Sequence, residues 1–277
     1  MREEIFVVAK TYPTVSKKYK ELVCTAGINK NGEWIRIYPI PFRNLEEYKQ
    51  FQKYTWISAE IIPNPSDPRP ESYKINTSSI EILEHVPPEK DWVIRRQLIL
   101  ERSRVYTNLR EIIEKANDGN QLSLCTFLPT KYLGVEIVEN QAKEPTEEEQ
   151  KAFKNANRSL FDTNVCEVEF TAMPHIPYKF KIKFEDDEGT ISSMSVIDWE
   201  FSQLYLKYAK EPELGSKKVK EKIESYFKRD MHLFLGTMRQ MHGWTKNPYT
   251  IIGVFYPPKS SYYQGRFEFD FCAEILS

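Results

Sequence analysis

The strongest constraint in this sequence is a series of short apolar segments that are repeatedly cut off by proline or by an Asn-Gly turn. In Lys179-Phe180-Lys181-Ile182-Lys183-Phe184 and in Arg266-Phe267-Glu268-Phe269-Asp270-Phe271 every second residue is apolar. Period two sends successive side chains to opposite faces, so each segment reads as a half-buried strand. Asn29-Lys30-Asn31-Gly32 is a hairpin signal, because Asn and Gly accept the positive φ that tight turns need. Pro39 and Pro41 end the strand that follows it, since proline cannot donate to a central ladder. Strands are expected at 5–9, 21–28, 33–38, 56–62, 122–128, 132–138, 165–172, 178–184, 190–197, 233–238, 250–256 and 266–273. Helices are expected at 89–105, at 109–117 with Thr107 as a cap and Gly119 as its left-handed end, at 198–209 capped by Asp198, and at 215–228. No βαβαβ rhythm appears. The pattern predicts an α+β, mainly β chain of two small barrel-type β domains with helical insertions, 1–145 and 146–277, separated within the polar stretch 139–157.

Composition then excludes several classes. The 277 residues carry 39 Lys plus Arg against 40 Asp plus Glu, a net charge of -1 that rules out a basic nucleic-acid coat and an acidic tail. Apolar residues at 40% are too many for a disordered chain. Cys24, Cys125, Cys166 and Cys272 are too sparse for a stapled secreted scaffold and are expected as reduced thiols. The apolar run 5–9 is too short for a signal core or a membrane span, so a soluble, cytoplasmic protein without membrane contact is expected.

Standard catalytic signatures are missing: there is no GxGxxG, GxxxxGK[ST], HExxH or GxSxG. His85, His175, His232 and His242 are scattered, and no metal or cofactor is expected. Two acidic groupings nevertheless suit a metal-dependent nuclease, which needs carboxylates converging on a cation beside a steadying lysine. One is Glu167 and Glu169, on one face of a strand; there the simpler reading is a solvated face paired with the lysines of 179–183. The other is Asp67-Pro68-Arg69-Pro70-Glu71-Ser72-Tyr73-Lys74, whose prolines would hold Asp67, Arg69 and Glu71 in fixed geometry, for a ligand or merely for one another.

The strongest binding signal is Trp34-Ile35-Arg36-Ile37-Tyr38. Period two puts Trp34, Arg36 and Tyr38 on one face, where two flat rings flanking a guanidinium would stack unpaired bases beside phosphates. Arg43 would extend the charge past the proline bend. The alternative is a strand buried on both faces with Arg36 paired internally. A second candidate is the loop holding Arg239, His242, Trp244 and Lys246, cations and an aromatic between two apolar strands. The lysines at 217, 218, 220, 222 and 228 read as a solvated helix face or a phosphate track.

The runs Val23-Cys24-Thr25-Ala26-Gly27 and Gly32-Glu33-Trp34-Ile35-Arg36-Ile37-Tyr38-Pro39-Ile40-Pro41-Phe42-Arg43 resemble a family of uncharacterised prokaryotic proteins with a dual OB-containing domain. So do residues 67–73 and Ile251-Ile252-Gly253-Val254-Phe255-Tyr256-Pro257-Pro258. The resemblance implies two OB-like barrels and nucleic-acid or nucleotide binding in a prokaryotic conflict or defence setting. It carries over no catalytic residue.

The sequence therefore leads to a non-enzymatic, cytoplasmic protein that binds single-stranded nucleic acid or a nucleotide-like ligand. Trp34, Arg36, Tyr38 and Arg43 would form the first contact surface, Asp67, Arg69 and Glu71 a rigid loop, and Arg239, His242, Trp244 and Lys246 a second surface. A metal-dependent nuclease or nucleotide-processing enzyme is the alternative. A scaffold for a protein partner is the third reading.

Overall fold

A computed structural model describes residues 1–16, 20–140 and 174–259. The strands expected at 165–172 and 266–273 lie outside them, as do Cys166, Cys272, Glu167 and Glu169. The protein is mainly β and divides into two sheets of seven strands each.

The first sheet is built from β1 (Arg2–Lys10), β2 (Thr14–Ser16), β3 (Lys20–Asn29), β4 (Trp34–Ile40), β5 (Thr55–Pro63), β6 (Ser72–Ile75) and β7 (Glu81–His85). Five of these close a barrel in the order β1-β3-β4-β6-β5, with β5 pairing back to β1. All its pairings are antiparallel except β4 with β6. The expected hairpin joins β3 to β4: Gly32 takes φ +84°, and Asn29 Oδ1 accepts from the amides of Asn31 and Glu33. Gly27 is fixed by crowding, because a Cβ there would lie 2.6 Å from the carbonyl oxygen of Phe6. The apolar faces of these strands fill the barrel with Ile5, Val7, Val23, Ile35, Ile37, Ile57 and Ile61.

The second sheet runs β10-β11-β12-β14-β13-β9-β8. Its strands are β8 (Val105–Tyr106), β9 (Leu124–Phe127), β10 (Lys131–Glu139), β11 (Tyr178–Glu185), β12 (Ile191–Val196), β13 (His232–Thr237) and β14 (Tyr249–Phe255). The change of sheet thus falls between β7 and β8, well ahead of the 145/146 division expected from composition. In β11 the alternation does what its period requires: Phe180, Ile182 and Phe184 are buried, and Lys181 stands opposite Glu136 of β10.

Helices depart from expectation where tertiary contacts intervene. The helix expected over 89–105 shrinks to α1 (Val93–Arg96) followed by a π-helical turn, Gln97–Glu101. Asp91 and Trp92 both take positive φ just before it. Trp92 packs among Tyr54, Phe255 and Tyr256, and Arg96 is fully buried, donating to Asp230 and to the Pro258 carbonyl of the second half. Those contacts override helix propensity. The cap of α2 (Leu109–Asn117) is Asn108, whose Oδ1 accepts from the Glu111 amide at 3.0 Å, and not Thr107. Thr107 instead donates to Asp187. Asp198 caps α3 (Trp199–Leu206) as its spacing predicts, and α4 spans Pro212–Tyr226.

The two sheets are fused by an apolar cluster that takes Phe6, Val8, Ala26, Ile28 and Trp34 from the barrel and Leu124, Phe234, Ile252 and Phe255 from the second sheet. Gly253 permits the approach, since a Cβ there would lie 3.0 Å from that of Ala9. Among the described residues no helix is long and apolar enough to cross a membrane.

Candidate binding surface at the domain seam

Strand β4 alternates as expected, but both of its faces are covered. Ile35 and Ile37 fill the barrel, while Trp34 and Arg36 point at the second sheet. The expected exposed surface is therefore corrected in its central members. Trp34 is 9% exposed and meets Phe234 edge-on at 5.7 Å. Arg36 is 1% exposed; it donates through Nη1 to Ser123 Oγ at 2.5 Å and through Nη2 to the Ser123 carbonyl at 2.9 Å. The physical reason is the partner sheet, which offers those strand side chains apolar cover and hydrogen-bond acceptors in place of water. Tyr38, past the covered stretch, stays half-buried, and Arg43 is exposed.

The proline-stiffened segment also closes onto the second half. Arg69 grips Asp67 with both fork arms, Nε to Oδ1 at 2.8 Å and Nη2 to Oδ2 at 2.6 Å, and its remaining arm donates to the Thr237 carbonyl at 2.7 Å. Burial pushes the Asp67 carboxyl up, but the Arg69 guanidinium outweighs it and holds the group below the usual carboxylate range. Glu71 accepts from the amide and hydroxyl of Ser123. Asp67, Arg69 and Glu71 thus brace the seam, Asp67 against the Arg69 guanidinium and Glu71 against Ser123. Among the described residues no three metal-ligating side chains converge.

The second candidate loop meets the same seam. Arg239, exposed, donates to the Ser66 carbonyl at 2.5 Å. His242 is buried at 5% exposure, its Nε2 2.5 Å from Asn120 Oδ1, while Asn120 Nδ2 donates to the Pro68 carbonyl at 2.5 Å. That carbonyl can only accept, so the Asn120 amide is oriented with its oxygen toward His242, and Nε2 carries the ring proton. Burial, with Arg36 and Arg69 nearby, pushes the imidazole below its usual pKa. Trp244 and Lys246 stand outside this network. Trp244 is 89% exposed, in the same loop as exposed Met238 and Met241, and Lys246 is exposed too. The loop beneath them is internally tied, with the His242 amide donating to the Met238 carbonyl, the Trp244 amide to that of Met241, and Asn117 Nδ2 to that of Thr245.

Two separated sequence groupings, 36–71 and 239–246, are therefore brought to one seam. The sequence reading missed Ser123, Asn120 and Thr237, the small polar residues that receive them. A lone serine between Leu122 and Leu124 carries no signal of this role.

Fold and seam define a class: a mainly β protein in which a closed five-stranded barrel is locked by buried polar contacts onto a second sheet. Residues 105–271, more than half of the chain, match a family model described as Domain of unknown function (DUF8757), and the chain belongs to that family. Residues 1–101 match a second model, Domain of unknown function (DUF8758). No curated protein matches the chain.

Proposed function

We propose that this protein binds single-stranded nucleic acid or a nucleotide-like ligand without transforming it, and that the contact is made by the 238–247 loop. The observation that carries the reading is Trp244, an almost fully exposed indole flanked by Arg239 and Lys246 on a braced loop. An exposed ring is a stacking surface for any base, and flanking cations suit the phosphates between bases. Half-buried Tyr38 lies close enough to Arg239 and Arg69 to feel their charge and extends the surface toward the barrel. The barrel's strand order, with its parallel β4–β6 closure, supports an OB-type reading. In such barrels the face of the second and third strands takes the oligonucleotide. Here that face is given to the second sheet, which moves the proposed contact to the adjoining loop. With the resemblance set out above, the setting we propose is the prokaryotic cytoplasm, in conflict or defence.

A second reading, a protein partner, is favoured by the exposure of Met238 and Met241 in the same loop as the indole. Salt separates the two. Labelled single-stranded oligonucleotides titrated into the full chain should bind with an affinity that falls steeply as salt rises. Binding that is absent, or that Trp244→Ala leaves unchanged, overturns the nucleic-acid reading.

A further inference from the structure

The two faces of β11 differ in what covers them. One carries Phe180, Ile182 and Phe184 into the core, with Phe180 6.5 Å from Tyr205 of α3. On the same side Tyr132 of β10 stacks on Phe227, just past α4, at 4.9 Å. The other face carries Lys179, Lys181 and Lys183, set in one line at steps of about 6.6 Å by the two-residue period. This face is open along its length: Glu136, Lys179 and Ser193 are exposed, and Lys181, Lys183 and Ser195 are half-buried. Among the described residues none of the three lysines forms an ion pair. Ser195 and Ser193 of β12 stand opposite Lys181 and Lys183, and Gly134 of β10 flanks Lys183 on the other side. A Cβ at Gly134 would meet nothing within 4 Å, so free space lies beside the end of the row.

We propose that this face holds the backbone of an extended single strand of nucleic acid, with successive phosphates on Lys179, Lys181 and Lys183 and the Ser193 and Ser195 hydroxyls donating to them. The assignment deepens the nucleic-acid reading and rests on it for the class of ligand. Regular spacing favours a phosphodiester backbone over an acidic peptide, because the backbone repeats one charge per nucleotide whatever its sequence. Charge agrees. Lys131 joins the row, so four lysines share the face with two acids, Glu185 opposite Lys131 and Glu136 opposite Lys181, on a chain whose net charge is -1. Glu136 reaches across β11 to accept from Ser193 at 2.7 Å, which lays its carboxylate over the row. An arriving phosphate displaces that internal anion and takes its serine. Lysines act on phosphates as point charges, so the row adds affinity without base preference, while stacking stays with the Trp244 loop.

The test titrates the full chain with two labelled strands of about 12 nucleotides, one of thymidylate and one of abasic sites on the same phosphodiester backbone. Lys179→Gln, Lys181→Gln and Lys183→Gln together should lower the slope of log affinity against log salt by about 2, at about 0.7 per phosphate. Between about 50 and 200 mM salt the parent should therefore lose about 20-fold more affinity than this triple variant, for both strands. An equal change of charge at exposed Lys217, Lys222 and Lys228, each to Gln, should leave the slope near the parent's. Glu136→Gln should tighten both strands. Trp244→Ala should weaken the thymidylate strand alone and leave its slope in place. A slope that the β11 substitutions do not lower, or that the Lys217, Lys222 and Lys228 set lowers equally, overturns the lysine row and leaves the stacking reading standing. Binding of the abasic strand with no gain from thymine supports the row and overturns the stacking reading. Failure of both strands to bind overturns both.

Discussion

Trp34 with Arg36 and Trp244 with Arg239 are chemically alike: in each an indole lies within a few residues of a guanidinium, on or beside a strand of a largely antiparallel sheet. Their fates are opposite. The first pair is sealed, the ring against Phe234 and the fork on Ser123. In the second the ring stands in solvent and the exposed fork reaches the Ser66 carbonyl. Side-chain type sets what a residue is able to bind. Whether the binder is solvent, a ligand or the chain itself is set by the other half of the fold, and β4 faces that half while the 238–247 loop hangs past it.

The comparison is broken most sharply by exchanging each indole for alanine. Trp34→Ala should cost about 3–5 kcal/mol, because it opens a cavity in the cluster that fuses the sheets. Trp244→Ala should stay within about 0.5 kcal/mol of the parent, as exposed substitutions do. Urea unfolding measures both, and equal costs would mean that the two rings occupy similar surroundings. Next in size is Arg36→Met, expected to cost about 2–3 kcal/mol, since the Ser123 hydroxyl and carbonyl lose a charged donor inside the seam. Arg239→Met should be close to neutral in the same assay.

Ligand binding reverses the ranking. Trp244→Ala should weaken oligonucleotide binding by about 1–3 kcal/mol, the range measured for one stacked base. A milder Trp34→Phe, which keeps the cavity largely filled, should leave affinity unchanged. Iodide quenching sharpens the contrast without any ligand, because of the 5 tryptophans Trp244 should account for most of the quenchable emission. Persistence of that quenching in Trp244→Ala would place another indole in solvent.

Local physics was legible in the sequence where it had no competitor. The turn at Asn29–Gly32, the Phe180-Ile182-Phe184 row and the Asp198 cap each follow from neighbours within a few residues. The face assignment of Trp34, Arg36 and Tyr38 was legible too, but not what covers it, because Ser123 lies 87 positions away from Arg36. The same distance hides the Lys53–Asp198 pair, 145 positions apart, although Asp198 announces its capping role. Strand β7 was illegible for another reason: all five of its residues are exposed, so no buried face imposes an alternation. The helix expected at 89–105 failed through Trp92 and Arg96, whose partners in the second half hold the backbone off the helical path.

The smallest expected effect tests whether the displayed loop is tied to the sealed seam through His242. With Nε2–H donated to Asn120, protonation would add a second N–H at Nδ1, which has no partner among the described residues, next to Arg36 and Arg69 and only partly offset by Glu71 and Asp67. The folded imidazole therefore takes its proton at a lower pH than the unfolded one, which titrates near about 6.5. As pH falls below that value the unfolded chain gains a proton the folded chain refuses, so stability declines down to the folded pKa. His242→Gln keeps a donor for Asn120 and abolishes the uptake, so its stability should fall less than the parent's as pH drops below about 6.5. His232, buried and likewise pushed down mainly by burial, gives the same sign, so His232→Gln added to His242→Gln should flatten the profile further. Parallel profiles for parent and His242→Gln would mean that the imidazole is solvated when protonated, and that the loop moves independently of the seam.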